Sequence, residues 1–176
     1  MKRLTASIAL ATALALSAPA IAGSHAMSPS SEFSMARPDG SQIKGTFKVI
    51  SGDIVIDEKD LTSSRVNITI STDSIQADTD ASTEELKSDK FFNTVEHPEM
   101  TFVSKEYVST GPGKGRVTGD LTLLDVTREV TFDVVQDDTG FTASGTIKRL
   151  DFGMSYGQDE IDDDIVLVVK SPKLKN

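Results

Sequence analysis

The feature that most constrains this chain is a period of two. From Phe33 onward apolar side chains recur at alternate positions, and turn-forming residues interrupt them at short intervals, the pattern of strands with one buried face. Phe33 and Met35 alternate with Ser34 and Ala36 ahead of a Pro38-Asp39-Gly40 turn. Thr46 to Ile50 makes a second run, and Ser51-Gly52-Asp53 leads into Ile54-Val55-Ile56. Val66, Ile68 and Ile70 alternate with Asn67 and Thr69, while Met100 and Phe102 mark a strand that stops before Gly111-Pro112-Gly113. Val117, Gly119, Leu121 and Leu123 share a face, and Phe132 and Val134 alternate with Thr131 and Asp133. Asp137-Asp138-Thr139-Gly140 signals a hairpin into a strand with Phe141, Ala143, Gly145 and Ile147 on one side. Ile165 to Val169 is apolar on both faces, as in a covered or closing strand.

One segment breaks the period. Ser82-Thr83-Glu84-Glu85 has the form of a capping box, so a short helix is expected to continue through Leu86 to Lys90 and to end at Phe91 and Phe92. Eight or nine sequential strands with short turns imply an all-β domain, either an up-and-down barrel or a sandwich. Closure removes exposed strand edges and so favours the barrel. No internal repeat or second-domain linker interrupts the pattern.

The first residues read as a secretory leader. Lys2 and Arg3 precede an uncharged Ala- and Leu-rich run from Leu4 to Ala22, which ends in the small-residue pattern Ala20-Ile21-Ala22. Cleavage after Ala22 is expected, with residues 23–30 a flexible segment and residues 31–176 the domain. The small, polar stretch Gly23 to Ser31 is read as a loose start. No other segment is apolar enough to cross a bilayer as a helix, and a periplasmic or secreted location is expected. The leader carries two cations, so its loss changes the formal charge from −9 to −11. A field of that sign repels nucleic acid and anionic membranes. With no cysteine there is no disulfide, thiol nucleophile or thiolate metal site.

Catalytic side chains are scarce. His25 falls in the loose start, and His97 precedes Pro98 in what reads as an extended entry to a strand. Neither a Cys–His pair nor a histidine-rich metal cage can be assembled from them. Asp78-Thr79-Asp80-Ala81-Ser82 opens with calcium-loop spacing, but Thr83 stands where the loop needs glycine. The denser run from Asp159 to Asp164 reads as a solvated turn. Asn67-Ile68-Thr69 matches a glycosylation sequon in mid-strand. No catalytic residue, metal or cofactor is assigned, and the chain is not expected to be an enzyme.

The apolar inventory says more. Eight Phe and five Met accompany no Trp, and most of the Phe fall on one face of their strands. Small barrels are either filled by such side chains or hold one ligand. Gly119 and Gly145 would subtract volume from the interior, or mark bulges and corners.

Three segments carry a resemblance beyond composition. Leu86-Lys87-Ser88-Asp89-Lys90-Phe91-Phe92-Asn93-Thr94 leads into His97-Pro98-Glu99-Met100-Thr101-Phe102. Val117-Thr118-Gly119-Asp120-Leu121-Thr122-Leu123 leads into Val126-Thr127-Arg128-Glu129-Val130, and Ile147-Lys148-Arg149-Leu150-Asp151-Phe152-Gly153-Met154 closes the set. Gly45-Thr46-Phe47, Ser51-Gly52-Asp53-Ile54 and Ser74-Ile75 fall in matching order. Together they resemble the YceI-like family of exported lipid-binding proteins, over about Ser31 to Val169.

The resemblance implies a lipocalin-like antiparallel β-barrel of about eight strands with one short helix, enclosing an apolar site. Its implied ligand is a long-chain isoprenoid or fatty amphiphile, and the family has no established catalytic site. From alternation and resemblance together, Phe33, Phe47, Ile68, Phe91, Met100, Phe102, Leu121, Phe132, Phe141, Phe152 and Met154 are the lining candidates. A homodimer is one arrangement open to such a chain. The sequence also departs from the family: Ser30-Ser31-Glu32-Phe33 lacks the histidine common in the opening strand, and Asp125 stands where glycine is common. Two other readings stay open, an enzyme using His97 with a nearby carboxylate at the barrel mouth, and a filled barrel acting as a stress or interaction module.

Overall fold

The computed structural model describes residues 30–48, 50–55 and 64–172, so the expected leader, the segment up to residue 29 and Ile56 lie outside the described residues. Ten strand segments form one antiparallel sheet: β1 (Ser30–Ala36), β2 (Gln42–Phe47), β3 (Ile50–Val55), β4 (Arg65–Ser71), β5 (Ile75–Gln76), β6 (Glu99–Gly111), β7 (Lys114–Leu123), β8 (Val126–Gln136), β9 (Gly140–Lys148) and β10 (Asp164–Pro172). The spatial order is β3-β4-β6-β7-β8-β9-β10-β1-β2-β5.

The sheet is strongly curled, and its two ends belong to strand paths that are already neighbours. β3 pairs with β4 (Ile50 opposite Ile70), and β2, just upstream of β3, pairs with β5, just downstream of β4 (Phe47 opposite Ile75). Two strand paths therefore pair on both sides of one corner, where the Lys48 N–H donates to the Ser74 carbonyl at 3.3 Å and to Ser74 Oγ at 3.1 Å. Counted as paths, the ten segments make eight, which reconciles them with the expected number.

Several boundaries differ from the sequence reading. β1 starts at Ser30, so Ser31 belongs to the sheet and not to a loose start. Ser51-Gly52-Asp53 lies within β3, paired to Thr69, Ile68 and Asn67. Gly52 permits this with φ +136°, because a side chain there would collide with the Asn67 carbonyl.

The only α-helix among the described residues, α1, spans Asp80–Lys87. Its cap is Thr79, whose Oγ1 accepts from the Ser82 N–H at 3.1 Å, three residues before the cap expected from the Ser82-Glu85 box. The helix closes at Ser88 rather than continuing to Lys90, and Phe91 and Phe92 turn inward. Phe92 joins Phe33 and Phe47 in a trio with ring centroids 5.2 to 5.6 Å apart. That trio, with buried Met35, Leu86, Ile161 and Ile165, belongs to the packed core.

A turn of 3-10 helix, Arg149–Phe152, leads from β9 into the loop before β10. Arg149 is 0% exposed, yet no carboxylate lies against its guanidinium among the described contacts. Its Nε, Nη1 and Nη2 instead donate to the carbonyls of Asp162, Met154, Tyr156, Gly157 and Ile161 at 2.6 to 3.3 Å. Burial pushes the guanidinium below its ordinary pKa, opposed by the nearby Asp163 charge. The Asp159–Asp164 stretch thus serves in part as the binding frame of a buried cation: Asp162 offers its carbonyl, and Asp163 Oδ1 accepts from the Leu150 N–H at 3.0 Å.

Candidate ligand-binding cavity

Strand alternation sends one set of side chains into the curl. Val66, Ile68 and Ile70 of β4 face Met100 and Phe102 of β6 there, with Val117 and Leu121 of β7 beside them. Phe132 and Val134 of β8, Phe141 and Ala143 of β9, and Leu167 and Val169 of β10 complete the apolar wall. The polar contributions are hydroxyls alone, from Ser31, Tyr107 and Ser171. Together these residues surround a cavity of about 110 Å³, and none of them is charged.

Local irregularities shape the wall. β6 carries a register shift between Ser104 and Glu106 against β7. The extra residue reverses the parity of the strand, so Tyr107 faces inward in place of Glu106. Beside it, where the β4–β6 ladder ends, Ser104 Oγ accepts from the Val66 N–H at 2.8 Å and extends the wall by one bond.

Four aromatic rings occupy the space over glycines of adjacent strands. A Cβ on Gly45 would meet the Phe33 ring at 2.5 Å, one on Gly145 would meet Phe132 at 2.6 Å, and one on Gly119 would meet Phe102 at 2.7 Å. Gly115 stands in the same relation to Tyr107. The missing side chains let the rings rest against the sheet instead of filling the interior.

The structure divides the eleven expected lining residues. Ile68, Met100, Phe102, Leu121, Phe132 and Phe141 come together on the cavity. Phe33, Phe47, Phe91, Phe152 and Met154 lie elsewhere, outside the wall of this cavity. Phe33 and Phe47 belong to the aromatic trio, Phe91 packs against Tyr156 with centroids 5.5 Å apart, and Phe152 and Met154 are buried beside Arg149. Alternation reports that a side chain points inward, but not at which height in the barrel it does so.

Ten of the sixteen lining residues fall outside the expected set, Ser31 and Tyr107 among them. Ser31 belongs in sequence to a polar leader-proximal stretch, and Tyr107 sits beyond a bulge that inverts the face. The signal for Tyr107 in the sequence is the conflict of parity between Phe102 and Glu106.

His97 stands outside this wall. Its Nδ1 lies 3.1 Å from Asp125 Oδ2 without the alignment of a hydrogen bond, and Asp125 is exposed. A larger depression, about 510 Å³, lies on the outer side of β1 and β2 and includes Glu32, Lys44, Lys48, Gln76 and Asp78. Such side chains are already satisfied by water, so an apolar ligand gains little there.

A YceI-like domain model matches residues 24–171. A UPF0312 protein of Staphylococcus epidermidis is 38% identical over 129 residues, covering 67% of this chain and 72% of its own. Among solved structures, Burkholderia cenocepacia BcnA is similar with a TM-score of 0.70 at 23% identity, over 80% of this chain and 96% of its own. A polyisoprenoid binding domain from Saccharophagus degradans matches with a TM-score of 0.57 at 16% identity, over 82% and 94% of the two chains. With its curled ten-segment sheet and a family match across most of its length, the chain belongs to the YceI-like domain family.

Proposed function

We propose that this protein binds an isoprenoid or fatty amphiphile, with the apolar part of the ligand inside the sheet. The observation that carries this reading is the cavity itself: a wall of aliphatic and aromatic side chains with three hydroxyls and no charge. Each methylene transferred from water to such a wall contributes about 0.8 kcal/mol, so a tail of about fifteen carbons offers on the order of 10 kcal/mol before ordering costs. The polyisoprenoid binding domain from Saccharophagus degradans has a similar fold, which supports the same ligand class.

The cavity volume limits how binding proceeds. At about 110 Å³ it is smaller than the roughly 150 Å³ engineered cavity that accepts benzene. One end of a tail fits as the protein stands, and a longer one requires the strands and side chains of the wall to move apart. Methionine at position 100 suits such a wall, because its unbranched side chain adapts to a moving neighbour.

The leader-like residues 1–22 support a periplasmic or secreted setting, in which a carrier would shield such a tail from water. Native mass spectrometry of the protein purified from its exported compartment, followed by solvent extraction, tests the proposal. A stoichiometric adduct that extracts as a long-chain amphiphile is expected. A bare mass that stays unchanged after incubation with farnesol and longer isoprenoids would overturn it and favour a filled barrel.

A further inference from the structure

The cavity holds a polar group to which no described residue is hydrogen-bonded. Ser31 opens the inward series Ser31, Phe33, Met35 on β1, opposite Val169 of β10 and Phe47 of β2. It is 1% exposed, it lines the cavity, and its hydroxyl makes no hydrogen bond with any described residue. Ser171, by contrast, donates to the Pro172 carbonyl at 3.4 Å. A hydroxyl set in an apolar wall without a partner is unfavourable, and valine would fill the same site in a strand without that penalty.

We infer that Ser31 is the hydrogen-bonding point for a neutral oxygen of the ligand, an alcohol or carbonyl rather than a phosphate or carboxylate. The inference rests on the reading of the cavity as an apolar ligand site. Neutrality follows from the wall: no Lys, Arg or His lines it, so an anionic group would be buried there without a counter-charge. A hydroxyl both donates and accepts, which suits either an alcohol or a carbonyl. The Tyr107 hydroxyl, also without a partner among the described residues, presents the cavity with a second group of the same chemistry.

The test compares farnesol with the hydrocarbon farnesene, each displacing the neutral fluorophore N-phenyl-1-naphthylamine from the folded protein. One neutral hydrogen bond corresponds to about a five- to tenfold preference for farnesol. Ser31→Val is expected to remove that preference while leaving farnesene affinity equal or higher, and Ser31→Thr is expected to retain it. Thermal melts of each variant exclude misfolding, and Ser31→Ala repeats the test should valine crowd the site. Equal binding of the two probes by the wild type, or an undiminished preference in Ser31→Val and Ser31→Ala, overturns the role of Ser31 alone. Failure of the fluorophore and both probes to bind overturns the apolar-site reading, and this inference with it.

Discussion

The ring of Phe102 stands edge-on to that of Phe132, with centroids 5.4 Å apart and planes at 84°. Each ring also rests on a glycine of the next strand, Gly119 under Phe102 and Gly145 under Phe132. The pair is thereby held back against the wall on both sides, and the space it leaves belongs to the cavity. Gly145→Ala places a methyl 2.6 Å from Cδ1 of Phe132, so the ring must swing inward. Loss of N-phenyl-1-naphthylamine binding by at least an order of magnitude is expected, with a stability cost of about 1–3 kcal/mol from overpacking. Gly119→Ala is expected to cost more, because its methyl would also lie 2.4 Å from the Val103 carbonyl, which cannot rotate away. Fluorescence titration and urea unfolding of the two variants measure both effects.

Arg149 ties the loop before β10 to the body of the protein through five backbone carbonyls. Removing it leaves the buried carbonyls of Met154 and Ile161 without this donor, at about 1–3 kcal/mol each, so Arg149→Ala is expected to destabilise by about 2–5 kcal/mol. Arg149→Lys recovers only part of this, since an ammonium offers three donors and not a planar fork of five. Urea unfolding gives the magnitudes. Limited proteolysis locates the defect, with new cleavage expected between Gly153 and Asp163 in both variants and more in the alanine.

Period-two alternation carried most of the fold, because a half-buried strand writes its buried face directly into the sequence. It identified the faces of β4, β7, β8 and β9 and placed Ile68, Phe102, Leu121 and Phe132 inward. What it lacked was height and parity. Phe33 and Phe102 obey the same rule, yet one packs with Phe47 and Phe92 and the other borders the cavity, a difference set by the residues folded in after α1. Tyr107 was hidden by one extra residue in β6. Arg149 leaves a clearer trace, an arginine continuing the inward series of Ile147, but its partners are carbonyls five to thirteen residues downstream and no side-chain pattern reveals them. The helix began early for a local reason: Thr79 and Ser82 both can cap, and Thr79 is the one in extended conformation with an oxygen facing an open N–H.

Acid sensitivity is expected from two turns. Asp39 is held below the ordinary carboxylate pKa by hydrogen bonds from the side chain and then the backbone of Ser41, and Asp137 likewise by Thr139. A carboxyl whose folded pKa is depressed stabilises fully above its unfolded value of 3.8, and that contribution disappears as pH falls through the lower folded value. Asp39→Ala and Asp137→Ala should therefore differ from wild type at pH 6 and approach it as the pH falls below 3.8 and through the lower folded value. Urea unfolding at pH 6, 4 and 2.5 reads this directly; a constant difference across that range would assign the turns another source of stability.

The β7–β8 hairpin turns through Leu124 and Asp125, with φ of +52° and +59°. Two successive left-handed residues define a type I′ turn, whose twist matches the strands but which favours Asn-Gly. Leucine at the first position is the less suited of the two: its Cβ crowds the following carbonyl, and it lacks the short polar side chain that lets Asp tolerate the region. What retains it is packing, since Leu124 is half-buried against the core cluster. The two positions should then respond differently. Asp125→Gly relieves strain at an exposed residue and is expected to stabilise by about 0.5–1 kcal/mol, after the greater entropy of glycine in the unfolded chain is set against the gain. Leu124→Asn suits the turn equally well but forfeits buried apolar surface, so its effect is expected to be near zero or destabilising. Thermal unfolding of the two single variants and the double variant decides this. Stabilisation by Asp125→Gly without Leu124→Asn locates the strain in the exposed half of the turn, and the reverse result would mean that Leu124 contributes nothing to the core.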